Sequence, residues 1–143
     1  MASDDRRQPA WSDVFLSCAA RQRAERKKGS IVTIASIGGS SAREDRISYV
    51  ASKAAVINMT RALAVDLGGS GIRANGVAPG VIDTPMQERN HSAFPTISGG
   101  IPLRRVGSAD EIANAVLFLL SDLSSYVTGA TLVVDGGLTA KYR

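Results

Sequence analysis

Tyr49 and Lys53 stand four residues apart in Ser48-Tyr49-Val50-Ala51-Ser52-Lys53, with a serine upstream at Ser36. Within a helix that spacing puts phenol and ammonium on one face, one turn apart. A free phenol, with a pKa near ~10, exchanges protons poorly at neutral pH. A neighbouring positive charge favours the phenolate, and a catalytic acid or base works best when its pKa lies near the working pH. Tyr49 is therefore a candidate proton donor and acceptor, with Lys53 as the group that tunes it. A Tyr–Lys pair at this spacing also occurs on ordinary solvated helices, so its meaning depends on the elements around it.

Those elements alternate. Residues 1–10 read as a polar tail and residues 11–27 as a helix ended by Gly29. Ser30–Ala35 is a β-branched run without polar alternation, which predicts a parallel strand buried on both faces. Ser36 stands at its end, and a glycine- and serine-containing loop leads to a long alanine- and leucine-rich helix over 47–67, stopped by Gly68-Gly69-Ser70-Gly71. A strand over 72–78 runs into Pro79-Gly80. The polar stretch 87–101 has no clear period and predicts a lid or binding loop. Ser108-Ala109-Asp110-Glu111 is a capping box ahead of an Ile112, Ala115, Val116, Leu119 stripe. Ala130–Val134 is a last strand, closed by Asp135-Gly136-Gly137.

This order predicts an α/β fold: a truncated, Rossmann-like parallel sheet of about three strands with flanking helices, occupying residues 11–143. In such sheets ligands sit beyond the carboxyl ends of the strands. Ser36 and Pro79-Gly80 each follow such an end, and Tyr49 and Lys53 open the helix after the Ser36 loop, so these groups can share one crevice.

Composition narrows the alternatives. The chain has 143 residues, 44% hydrophobic, one cysteine, one histidine and a formal charge of +4. One domain with one core is expected. Cys18 alone makes no intramolecular disulfide, and His91 alone makes a histidine-based metal site improbable. The basic run Arg21, Arg23, Arg26, Lys27, Lys28 lacks the interleaved aromatics of a single-strand binder and reads as a solvated helix face. Neither nucleic acid nor a membrane is an expected partner. With no apolar signal core and no long apolar span, the expectation is a cytoplasmic protein.

The serine ahead of Tyr-x-x-x-Lys, here Ser36, Tyr49 and Lys53, resembles the short-chain dehydrogenase/reductase family. The resemblance extends through Asn75-Gly76-Val77-Ala78-Pro79-Gly80-Val81-Ile82-Asp83-Thr84-Pro85-Met86, Pro102-Leu103-Arg104-Arg105-Val106-Gly107 and Thr128-Gly129 to Val134-Asp135-Gly136-Gly137. It implies an NAD- or NADP-dependent oxidoreductase acting on a small carbonyl or alcohol. Tyr49 would transfer the proton, Ser36 would hydrogen-bond the substrate oxygen, and Lys53 would tune the phenol and hold the nicotinamide ribose. Pro79, Gly80, Ile82 and Thr84 would lie against the cofactor. Residues 87–101 would be the variable substrate lid, and the long helix, last helix and last strand would pair copies in a homo-oligomer.

The glycine-rich nucleotide-binding turn of the family's first half has no counterpart here, nor does its active-site asparagine. The resemblance is thus to the C-terminal half only. It implies that the adenine and pyrophosphate subsites lie largely outside this sequence. It also leaves open a second reading, an inactive family fragment serving as an oligomerisation or interaction module.

Overall fold

The structure, a computed structural model, describes residues 28–42, 44–85 and 92–141. The tail, the helix expected over 11–27, Cys18, His91 and most of the basic run lie outside the described residues.

Three parallel strands form the centre: β1 (Gly29–Ile34), β2 (Ile72–Pro79) and β5 (Thr131–Val134), in the order β1-β2-β5. The register places Gly29 opposite Ile72, Ile34 opposite Val77, and Pro79 opposite Val134. A parallel step needs a crossover. Helix α1 (Ile47–Gly68) supplies the one between β1 and β2. The β2-to-β5 connection carries a two-residue ladder of β3 (Ile82–Asp83) with β4 (Gly107–Ser108), helix α2 (Phe94–Gly100) and helix α3 (Ala109–Leu120). The expected α/β architecture is therefore present.

Burial separates the strands. β2 is the core, with Ile72, Ala74, Asn75, Val77 and Ala78 all essentially buried. β1 was expected to be buried on both faces and is not: Ile31, Val32 and Thr33 are half-buried and Ile34 is exposed. The reason is positional. Among the described residues β1 pairs with β2 alone, so it is an edge of the sheet. Apolar, β-branched composition suits both an edge and a centre.

Polar groups lock the layers. Asn75, fully buried, donates from Nδ2 to Val127 O (2.8 Å) and accepts at Oδ1 from Ala130 N (3.1 Å). Leaving such groups unpaired would cost about 1–3 kcal/mol each, so Asn75 fixes where β5 begins. Arg73 donates to the carbonyls of Leu119 and Ser121 and to Ser124 Oγ, all at 2.9 Å. It thereby places a cation at the carboxyl end of α3, where the helix dipole favours one. On the other side, Thr60 Oγ1 of α1 meets Thr33 Oγ1 of β1 at 2.6 Å, tying helix to sheet.

The capping box forms as expected: Glu111 N donates to Ser108 Oγ (3.3 Å), and Ser108 N to Glu111 Oε2 (2.9 Å). The stretch 87–101, expected as loop, contains α2 with a proline in its first turn. Pro95 suits a helix start, but Gly99 and Gly100 and the short length hide the period. No described helix is long and apolar enough to cross a membrane.

Candidate active site

Ser36 follows β1 and caps a 3-10 turn at Ile37–Gly39, its Oγ accepting from Gly38 N (3.1 Å). This bond occupies an acceptor site on the hydroxyl and leaves its proton free to point elsewhere. Ser36 is 9% exposed.

The turn is pressed onto α1 through its two glycines. A Cβ at Gly39 would stand 2.7 Å from Lys53 O and 2.7 Å from Ile57 Cδ1, so the turn's backbone packs directly on the helix backbone. A Cβ at Gly38 would stand 3.2 Å from Tyr49 Cε1 and 3.5 Å from Ser36 Oγ. The edge of the phenol ring and the serine hydroxyl therefore both pack against Gly38, on the side where a side chain would stand.

Lys53 completes the corner. Its Nζ donates to Ile34 O (3.1 Å), the last carbonyl of β1, and lies 5.9 Å from the Tyr49 ring centroid. The helical spacing read from the sequence thus places phenol and ammonium on one face, and that face meets the end of β1. Tyr49 is 42% exposed and the corner is open.

Pro79 and Gly80 stand at the carboxyl end of β2, the neighbour of β1 in the sheet. Gly80 N donates to Val134 O (2.9 Å), continuing the β2–β5 ladder into the turn. Ile82 lies in β3 and Thr84, half-buried, just after it. Ile82 lines a cavity of about 100 Å³ with Leu103, Gly107, Val134 and Gly136. A second, open depression of about 280 Å³ lies between Phe94, Ser98 and Arg104. Neither is lined by Ser36, Tyr49 or Lys53. The structure brings those three to one corner and places the Pro79–Gly80 turn at the adjacent strand end. It sets Ile82 in a separate depression behind that turn.

Sequence reasoning missed the seats of these groups. Gly38 and Gly39 passed as loop glycines, though their place between Ser36 and the helix was visible. Arg105 was missed too: it grips Glu111 with two bonds, 2.8 Å to Oε2 and 2.6 Å to Oε1. Hydrogen bonding to Arg105, then to Ser108 N, draws the Glu111 carboxyl down to about 2. The charge pattern six residues apart was the only available signal.

Fold and corner together define a Rossmann-like α/β unit with a serine, a tyrosine and a lysine gathered at one strand end. The family model described as enoyl-(acyl carrier protein) reductase matches residues 10–139, and the chain belongs to the short-chain dehydrogenase/reductase family. A 3-oxoacyl-(acyl-carrier-protein) reductase of Thermotoga maritima is 47% identical over 115 residues, covering 80% of this chain and 47% of the relative. A 2-(R)-hydroxypropyl-CoM dehydrogenase of Xanthobacter autotrophicus is 40% identical over 132 residues, covering 89% and 53%. The crystal structure of a gluconate 5-dehydrogenase from Burkholderia cenocepacia in complex with NADP and tartrate superposes with a TM-score of 0.85 at 34% identity, covering 92% of this chain and 54% of that one. A 4-hydroxyisoleucine dehydrogenase complexed with NADH gives 0.82 at 35% identity, covering 90% and 55%. The chain spans about half the length of the curated relatives it matches.

Proposed function

We propose that this chain carries the substrate-facing part of an NAD- or NADP-dependent oxidoreductase that reduces a carbonyl or oxidises an alcohol. The observation that carries the reading is the corner at the end of β1, where Ser36 Oγ and the Tyr49 ring both pack against Gly38 and Lys53 anchors on Ile34 O. In this reading a substrate oxygen held at that corner is met by the hydroxyls of Ser36 and Tyr49.

In this reading Ser36 donates to the substrate oxygen, since its acceptor side is taken by Gly38 N, and so stabilises the charge that develops there. Tyr49 gives its phenolic proton to that oxygen in reduction, or takes the proton of the alcohol in oxidation. Lys53 holds its ammonium beside the phenol while anchored on Ile34 O, so its position is set by the sheet rather than by solvent.

The residues present fit the nicotinamide end of the cofactor. In this reading Lys53 and Tyr49 would hold the ribose, Pro79 and Gly80 at the neighbouring strand end would lie against the nicotinamide, and Ile82 and Thr84 would follow from β3. The cofactor, when bound, supplies or accepts the hydride. The two neighbours solved with NADP and with NADH support a nicotinamide cofactor and leave the choice between them open. The relatives, a 3-oxoacyl-(acyl-carrier-protein) reductase and a 2-(R)-hydroxypropyl-CoM dehydrogenase, support a carbonyl or alcohol as the substrate class.

A homo-oligomer belongs to the same reading. Along α1, Ala51, Ala55, Asn58, Ala62 and Val65 are all exposed and recur at helical spacing, a nearly uncharged stripe able to accept a second copy closely. Titration with NADH and with NADPH, followed by nicotinamide fluorescence, tests the proposal. Saturable binding of at least one is expected, and a folded sample that binds neither contradicts it.

A further inference from the structure

Asp135 folds the chain after β5 into a closed turn. Its Oδ1 accepts from Gly137 N (2.8 Å), and its Oδ2 from Thr139 N (2.8 Å) and Thr139 Oγ1 (2.7 Å). Gly136 and Gly137 both take left-handed backbone, at φ +65° and +88°, a conformation that glycine adopts without strain. The carboxylate gathers the amides that this backbone turns inward. Burial alone would raise the Asp135 carboxyl, but the bonds from Thr139 and Gly137 outweigh it and hold it below the usual carboxylate range.

Two other segments rest on this turn. On one side, a Cβ at Gly80 would lie 2.6 Å from Asp135 Cβ and 2.8 Å from Asp135 Cα, so the Pro79–Gly80 turn is seated on Asp135 itself. On the other, Leu103 N donates to Gly136 O (3.2 Å). A Cβ at Gly136 would lie 2.8 Å from Ile101 Cγ2, and one at Gly137 3.0 Å from Pro102 Cγ. Ile101 is 2% exposed, so this seat is a packed one.

We propose that Asp135 is a positioning residue whose closed turn holds the Pro79–Gly80 turn and the Ile101–Leu103 segment on one common seat, so that the two move together. The consequence for cofactor binding rests on the proposed function, in which Pro79 and Gly80 lie against the nicotinamide. The coupling itself rests on contacts within this chain.

Amide hydrogen exchange on the full chain tests it, comparing wild type with Asp135→Ala, Asp135→Asn and Thr139→Val. In Asp135→Ala the amides of Gly80 and Leu103 should both exchange at least about tenfold faster, while that of Ala35, bonded to Val77 O in the sheet, stays unchanged. Asp135→Asn, which keeps one accepting oxygen, should fall between wild type and Asp135→Ala. Thr139→Val should move both amides together by a smaller factor. Should Asp135→Ala not fold, the two milder variants decide. NADPH affinity, measured well below the melting transition, should weaken in the same order.

Acceleration at only one of the two amides overturns the coupling. So does a lowered melting temperature with both amides and NADPH affinity unchanged. A wild-type chain that binds no nicotinamide overturns the proposed function instead, and the paired exchange rates then decide the coupling alone.

Discussion

The Tyr49 ring packs on Gly38 closely enough that one added carbon would move it. A methyl there would press on Tyr49 Cε1 at 3.2 Å, tighter than ordinary contact, and the ring would have to yield by a few tenths of an ångström. Misplacing a reacting group costs rate even when binding survives. Gly38→Ala is therefore expected to lower turnover by roughly 10-fold while leaving nicotinamide affinity within about twofold, read from steady-state rates beside a binding titration. Equal rates would mean that the packing of the ring on Gly38 does not set the position of the Tyr49 hydroxyl. At this scale the sequence was informative where spacing is fixed by a helix, as with Tyr49 and Lys53. It was silent where a contact depends on how a turn lands: nothing in Gly38-Gly39 announces that one glycine faces a phenol and the other a helix backbone. The carboxylate of Asp135 was equally hidden, because its partners are amides that turn inward only in left-handed backbone.

Elements were legible in proportion to their length and caps. α1 was foreseen almost to the residue, because its apolar and alanine content is long and four residues of glycine and serine end it. β2 and β5 were foreseen within a residue at their ends. α2 was not, since a seven-residue helix closing on two glycines shows no period. The β3–β4 ladder, two residues on each side, is too short to carry an alternation. The start of α3 offers a pH test. Glu111 completes the capping box and pairs with Arg105, which lowers its carboxyl to about 2 from an ordinary 4.5. A carboxylate lowered on folding stabilises the folded state above its unfolded pKa. That contribution is lost as the pH falls through the folded value. Protection of the first amides of α3 should thus persist at neutral pH and fade between about pH 4.5 and 2. NMR titration of the Glu111 carboxyl should give a midpoint about 2 in wild type, moved back toward the ordinary value in Arg105→Ala. An ordinary midpoint in wild type would remove Arg105 from this role.

Among the described residues β2 is the most buried element, and Ile57 and Ala64 of α1 and Leu119 of α3 complete the core around it. β2 is enclosed by β1, β5, α1 and α3, while α1 presents an alanine stripe outward and exposed apolar side chains gather at Leu117 and Leu120 in the last turn of α3 and at Leu123 and Tyr126 just after it. Such a surface suits a partner copy. Light scattering should give a mass above the 15.0 kDa of one chain. Ala55→Arg or Ala62→Arg, each placing a charge on the α1 stripe, should shift the population toward the monomer. A wild-type chain that is monomeric at all accessible concentrations contradicts the homo-oligomer. The fold class was legible from the order of elements alone. The half-burial of the β1 side chains emerges only once the neighbours of each strand are known, because an apolar, β-branched run reads the same at an edge and at a centre.

The central claim is that Tyr49 moves the proton on the substrate oxygen. It is tested most directly by following oxidation of NADH and NADPH with a small ketone or 3-oxoacyl thioester, in wild type and in Tyr49→Phe. The account predicts turnover by wild type and a loss of at least about 100-fold in Tyr49→Phe, with nicotinamide affinity little changed. A Tyr49→Phe rate equal to that of wild type would contradict it.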